Sequence, residues 1–256
     1  MTEIISELQR DRVYQLAASG VRSDGRTPEE IRPIIVEKNY VENAEGSARI
    51  RLGNTDVLVG VKIDTGEPYP DTPDSGVLST GAELVPMASP TFESGPPRPD
   101  AIELARVVDR GIRESQTIDL KKLCITPKEK VWICFIDIHV LDYDGNLFDA
   151  ASYGALAALT STKVPASKIG GEDYVLPLQH YPVSITAAKI RDVFVIDPNL
   201  QEEQIADARL TIATDENGDI RAMQKGLKGS FSYEEINRIV GLALKLSDEV
   251  RAKIKA

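Results

Sequence analysis

GSARIRLGNTDVLVGV, residues 46–61, is the stretch on which the reading of the fold turns. Ala48, Ile50 and Leu52 alternate with Arg49 and Arg51, the period of two expected of a strand with one apolar face. Gly53-Asn54 follows as a hairpin signal, because both residues tolerate the backbone angles a tight turn needs. Beyond it, Val57-Leu58-Val59-Gly60-Val61 is a continuous apolar run, as in a strand covered on both faces.

Working outward, residues 34–36 read as another strand, and 3–18 as a helix with Ile4, Ile5, Leu8, Val13 and Leu16 near helical spacing and Gly20 placed to end it. On the other side, 64–76 hold prolines, Gly66, Gly76 and several acids and read as loop. A strand is expected near 82–87 and a Pro-rich loop over 90–99. Pro99 is suited to the first turn of a helix spanning 101–114. A strand over 131–141, a turn at 142–146 and an Ala-rich helix over 150–159 complete the first half. The second half repeats the order in shorter form, with strands at 190–196, 208–213 and 220–225, a hairpin turn at 215–218 and a helix from 233 to about 256. The fold class predicted is α+β, an α/β two-layer arrangement of two β-sheet/helix halves with βαβ units. The divisions are an N-terminal helix and lead-in over 1–30, a first domain over 31–165 and a second over 186–256.

A chain of 256 residues can bury a core that needs no disulfides. Cys124 and Cys134 lack CxxC spacing and a matching His cluster, so two reduced, buried thiols in an intracellular protein are expected. No run approaches the roughly 20 apolar residues of a membrane span. Glu3, Glu7 and Asp11 are unlike a signal peptide, and a cytoplasmic protein is expected. The net charge of −10 argues against nucleic-acid binding over a broad face, since phosphate neutralisation normally demands a basic surface. It leaves room for one local cationic patch.

RSDGR at 22–26 with Glu30 and Arg32, the hairpin at 46–61, IELARVVDRGIRES at 102–115 and VLDYDGNLFDAA at 140–151 occur in the order of the RNase PH family's motifs. Singly, each is ordinary turn or helix chemistry, and their order is what carries the resemblance. TPDSGVLST at 72–80 and SPTFESGPP at 89–97 resemble loops of the family's inactive branch, the non-catalytic ring subunits of the archaeal RNA exosome. The resemblance implies a hexameric ring in which this chain alternates with a catalytic RNase PH-like subunit as a trimer of heterodimers. Single-stranded RNA and cap proteins of KH and OB type would be further partners. The ring would degrade RNA from the 3′ end by phosphorolysis, with Mg²⁺ and inorganic phosphate in the partner's active site and no cofactor in this chain.

Phosphorolysis needs a held phosphate and stabilisation of charge on the leaving 3′ oxygen. Active relatives hold phosphate with a Gly-rich loop carrying an arginine. The matching segment here is Asp144-Gly145-Asn146-Leu147-Phe148-Asp149-Ala150, with Leu147 and Phe148 in place of the donor and the arginine. Those two side chains are expected to pack the start of the helix on the sheet. Active relatives also carry a spaced pair of aspartates in the second half, and here Glu203 and Arg209 fall at those positions. An arginine there repels a divalent cation. Glu202 and Glu203 read as solvated loop acids. No catalytic residue and no metal ligand is therefore assigned. Asp142, Asp144 and Asn146 imitate the start of a calcium loop, but Tyr153 stands where its closing glutamate is needed. His139 and His180, without nearby partners for catalysis, are read as structural.

A possible binding surface remains. Arg106, Arg110 and Arg113 share one face of the 101–114 helix, while Leu104, Ala105, Val108 and Ile112 share the other. In an arbitrary protein the arginines would be a solvated stripe. The resemblance implies instead that they border the partner's active site and hold RNA phosphates, with Arg98 in the adjoining loop as a weaker contributor. Two other readings stay open: an exoribonuclease active by itself with an unusual phosphate site, and a purely structural subunit that never touches RNA.

Overall fold

The computed structural model describes residues 7–256. Helix α1 (Glu7–Ala18) ends at Gly20, whose φ of +83° only glycine adopts without strain. The earlier part of the predicted helix, with Ile4 and Ile5, lies outside the described residues. Of its remaining apolar positions Val13 is buried, Leu16 is partly buried and Leu8 is exposed.

The first sheet is built from β1 (Ile34–Lys38), β2 (Gly46–Leu52), β3 (Thr55–Gly66), β4 (Val77–Leu84), β5 (Cys124–Thr126) and β6 (Lys130–Asp142), in the order β1-β2-β3-β6-β4, with β5 paired to β6. The hairpin predicted at 46–61 is β2–β3, closed by Leu52↔Thr55 around Gly53 at φ +58°. Helix α2 (Pro99–Glu114) carries the crossover between the parallel neighbours β4 and β6, a βαβ unit. Two expectations need moving. β3 runs through residues 64–66, read as loop, because Asp64 and Thr65 still pair with Ile133 and Trp132. The strand expected at 82–87 begins at Val77 and stops at Leu84. Buried Val77 and Leu78 pair with Ile133 and Cys134, whereas Pro86 has no N–H for a ladder.

Helix α3 (Leu147–Ser161) touches β1, β2, β3 and β6, and on its far side β9 (Val183–Ile190) of a second sheet. This double contact explains its alanines: large side chains on opposite faces would hold the sheets apart. Gly154 is the extreme case, since a Cβ there would lie 2.7 Å from Val59 Cγ2. Between the sheets, β7 (Lys163–Val164) and β8 (Tyr174–Val175) form a small ribbon.

The second sheet adds β10 (Val193–Ile196), β11 (Ala208–Thr214) and β12 (Ile220–Gly226) in the antiparallel order β10-β9-β11-β12. Helix α4 (Leu200–Ile205) joins β10 to β11, and α5 (Tyr233–Lys255) closes the chain. The single strand expected over 190–196 covers the last residue of β9, a turn at Arg191 with φ +56° and β10, and the sequence reading missed the rest of β9. β9 is covered on both faces: Val183, Ile185 and Ala187 join the main core, whereas Ala188 and Ile190 pack against α1. Its two alanines hide the β signal. The main core runs unbroken from Ile50 and Val59 through Leu156 to Ile212 and Ile254, so the two halves share one interior. Cys134 is buried and Cys124 only half-buried, a correction to the expectation of two buried thiols. Burial pushes the Cys134 thiol up to about 12, leaving it unreactive.

Candidate nucleic-acid interface

Helix α2 is strongly amphipathic. Leu104, Ala105, Val108 and Ile112 are buried as expected, with Val107 and Gly111 beside them. The opposite face carries the predicted arginines, but in three different states. Arg106 is exposed and has no hydrogen-bond or ion-pair partner among the described residues. Arg110 is half-buried and donates to Gln224 Oε1 on β12 at 3.2 Å. Arg113 is committed to Asp109 through two 3.0 Å bonds and to the Leu78 carbonyl at 3.1 Å. Its guanidinium is held further in the charged form by Asp109. An open groove of about 220 Å³ runs between Thr80 and this arginine face. Arg98 lies apart, in the N-cap position of α2, ion-paired with Glu93.

Next to α2 the 142–148 segment turns sharply, with Gly145 at φ +85° and Asn146 at φ +53°. The glycine is required, because a Cβ at 145 would lie 2.5 Å from the Asn199 carbonyl carbon. Two main-chain N–H groups of this turn are already engaged. Asn146 N donates to Glu203 Oε2 at 3.0 Å, and Asp144 N to Thr55 Oγ1 at 3.1 Å. Tyr143 also donates its hydroxyl to Glu203 Oε2 at 3.0 Å. Burial first and the carboxylate second push the phenol's titration up. Glu203 thus sets a carboxylate of the protein's own beside the start of α3, where the helix dipole favours negative charge and a phosphate would be repelled.

Leu147 and Phe148 pack as anticipated, with Phe148 buried. What the sequence did not reveal is that the two replaced positions touch. The Arg209 guanidinium stacks 4.0 Å above the Phe148 ring, donates to Glu103 Oε1 on α2 at 3.0 Å and sits 3.6 Å from Glu203. Asp100, Glu103, Tyr143, Phe148, Glu203 and Arg209 surround a cavity of about 230 Å³. Glu103 and Glu203 are both paired with Arg209, whose cation stands among the acids, so this donor set does not fit a divalent cation. No group of three or more metal-ligating side chains occurs among the described residues.

The reading of Glu202 and Glu203 as solvated acids is wrong. Glu203 is half-buried in the contacts just given, and Glu202 is only 1% exposed. Glu202 caps α4 reciprocally with Asn199 and accepts from fully buried Arg22 at 2.8 Å. The Asn-x-x-Glu spacing of 199–202 was the available signal, a capping box. RSDGR is a turn with Ser23, Asp24 and Gly25 exposed and Arg26 paired with Asp24 at 2.8 Å, but both of its arginine side chains are buried. Arg22 also donates to the carbonyls of Ile196 and Asp197 at 2.8 Å. Asp197, buried, accepts Arg32 at 2.9 and 2.7 Å, Arg26 at 3.0 Å and Asn146 Nδ2 at 2.7 Å. Burial raises its titration, but these donors outweigh it and hold the carboxylate below its ordinary range. Asp149, fully buried in the first turn of α3, accepts from Asn146 and Thr186. Burial dominates there and pushes it up to about 7.

His139 faces Glu83 at 3.3 Å and His180 faces Glu216 at 3.0 Å, both away from this region. The turn acid Asp144 accepts from Asn54 at 3.1 Å. No helix among the described residues is long and apolar enough to cross a membrane.

Comparison with known proteins gives one consistent result. The model described as the 3′ exoribonuclease family, domain 1, matches residues 30–165, and that of domain 2 matches 180–245. The exosome complex component Rrp42 of Methanocella arvoryzae is 55% identical over 99% of this chain and 98% of its own. That of Thermococcus gammatolerans is 53% identical, over 97% and 94% respectively. Among solved structures, a chain of the Archaeoglobus fulgidus exosome with RNA bound to the active site superposes with a TM-score of 0.94 at 48% identity, covering 96% of this chain and 98% of that one. A chain of an archaeal exosome core gives 0.90 at 44%, over 98% and 97%.

Proposed function

Since the chain belongs to the RNase PH family of 3′ exoribonucleases, we propose that it is the ring subunit of an archaeal exosome that cannot cleave alone and presents RNA to a catalytic paralogue. Membership of the exosome ring follows from near full-length likeness to Rrp42 components and to exosome core chains. The division of labour rests on the chemistry of the side chains.

One observation carries the inactive reading: Arg209 stacked on Phe148, between Glu103 and Glu203. Phosphorolysis by this chain would need phosphate held at the start of α3 and negative charge gathered nearby. The first place has the Glu203 carboxylate beside it, bonded to Asn146 N, and the second has a guanidinium at its centre. Mg²⁺ and inorganic phosphate therefore belong in the catalytic subunit's site. RNA contact falls to α2. Arg106 is the free cation, Arg110 is partly held, and Arg113 and Arg98 are largely neutralised by acids. This ranking reconciles an acidic chain with a phosphate-binding role, because the charge available is concentrated on part of one helix face. KH- and OB-type cap proteins would complete the RNA path.

The test uses three preparations: this chain, the catalytic subunit, and the reconstituted ring. Each is given single-stranded RNA, Mg²⁺ and phosphate. Nucleoside diphosphates are expected from the ring and none from this chain alone; their release by this chain would overturn the reading. Unchanged RNA affinity in an Arg106→Glu/Arg110→Glu ring would show a scaffold that never touches RNA.

A further inference from the structure

We infer that Arg209 is a positioning residue for RNA: by hooking Glu103 it fixes helix α2 so that Arg106 and Arg110 face the strand. The inference rests on the proposed role of α2. Glu103, Arg106 and Arg110 lie at i, i+3 and i+7 and share a helix face. That face is held at two points by one hairpin of the second sheet. Arg209 on β11 bonds Glu103 at 3.0 Å, and Gln224 on β12 accepts from Arg110 at 3.2 Å. Rotation or sliding of α2 would break both.

Arg209 is itself rigidly seated, with only 11% of its side chain exposed. Phe148 supports one face of the guanidinium at 4.0 Å, and Glu203 sits at 3.6 Å. Across the ladder its neighbour is Gly226, where a Cβ would lie 2.8 Å from the guanidinium. The hairpin thus leaves room for this one arginine. A planar, stacked, multiply paired guanidinium is better suited to fixing a helix than a flexible ammonium.

Glu103 supplies the sharpest argument. An acid beside phosphate-binding arginines should weaken RNA binding by its field alone. On that ground its loss should tighten binding; if it acts as a hook, its loss should weaken binding instead, so the two roles predict opposite signs. The experiment measures binding of fluorescent single-stranded oligoadenylate to the reconstituted ring without Mg²⁺, over a range of salt. Glu103→Gln should bind about three- to tenfold more weakly, the net worth of one ordinary hydrogen bond, since Glu103 is partly exposed, with an unchanged salt slope. Arg209→Gln should do the same, and the double variant should be no weaker than either single one. Thermal unfolding checks that each variant is folded, and the partly exposed Glu103 is the safer site. Equal or tighter binding by Glu103→Gln, while Arg106→Ala weakens binding, sinks the positioning role alone. If Arg106→Ala and Arg110→Ala also bind normally, the RNA role of α2 fails, and this inference with it.

Discussion

Two trios of arginine divide the labour of this molecule. Arg22, Arg26 and Arg32 are buried where the two halves meet and are surrounded by acceptors, whereas Arg106, Arg110 and Arg113 line the outer face of α2. The first trio contacts Asp24, Asp197, Glu202 and five main-chain carbonyls, those of Glu30, Asp144, Gly145, Ile196 and Asp197. The second has progressively fewer internal partners from Arg113 to Arg106. A guanidinium buried with its acceptors ties chain segments together and is unavailable to RNA. One left short of acceptors on the surface stays free to take phosphate. The difference lies in the neighbours that the fold supplies.

The largest break would come from Asp197. Replacing it by alanine leaves Arg32 buried without its hydrogen-bonded carboxylate, Arg26 with the carboxylate of Asp24 alone, and Asn146 without one acceptor. Removing one partner of a buried ionic cluster costs about 3–5 kcal/mol. Chemical unfolding of Asp197→Ala should show a loss of that order; a loss below about 1 kcal/mol would mean the seam is held by apolar packing alone.

The same seam should show in pH. Asp197 titrates below its unfolded value, so its stabilisation is complete above about pH 4 and is lost only in stronger acid. Asp149 goes the other way. Its folded value of about 7 exceeds the unfolded one, so the native state binds the extra proton, and stability falls as pH rises from about 4 to about 7. Unfolding free energy measured across that window should decline in the native chain. It should decline less in Asp149→Asn, whatever that variant does to absolute stability.

These contrasts also explain what could be read from the sequence. The hairpin at 46–61 and the α2 pattern were legible because their periodicity is local. The packing of Leu147 and Phe148 was legible because apolar side chains at a helix start have few other uses. β9 was not, because a strand buried on both faces beside α3 and α1 needs small residues, and its alanines erase the alternation. The burial of Glu202 depends on Arg22, which lies 180 positions away along the chain. The meeting of Arg209, Phe148 and Glu103 joins β11, α3 and α2, and only the folded chain brings these three together.

On the exposed trio the expected effects are smaller and graded. Arg106→Ala should weaken oligoadenylate binding by the reconstituted ring about three- to tenfold and lower the salt slope by about 0.7, one single-strand phosphate contact. Arg110→Ala should do somewhat less to the slope, because Gln224 already shares its charge.

The smallest effect belongs to Arg113. Its guanidinium makes two bonds to Asp109 and one to the Leu78 carbonyl, so a phosphate must compete with a carboxylate already in place. Arg113→Ala removes that cation but also frees Asp109, and the change in affinity should stay within about twofold, the scale of an exposed ion pair. Asp109→Asn is the informative counterpart. It releases Arg113 without removing it and should raise RNA affinity while steepening the salt slope. If Arg113→Ala matches Arg106→Ala in size, internal pairing does not limit what an arginine on this face gives to RNA, and the contrast between the two trios reduces to burial alone.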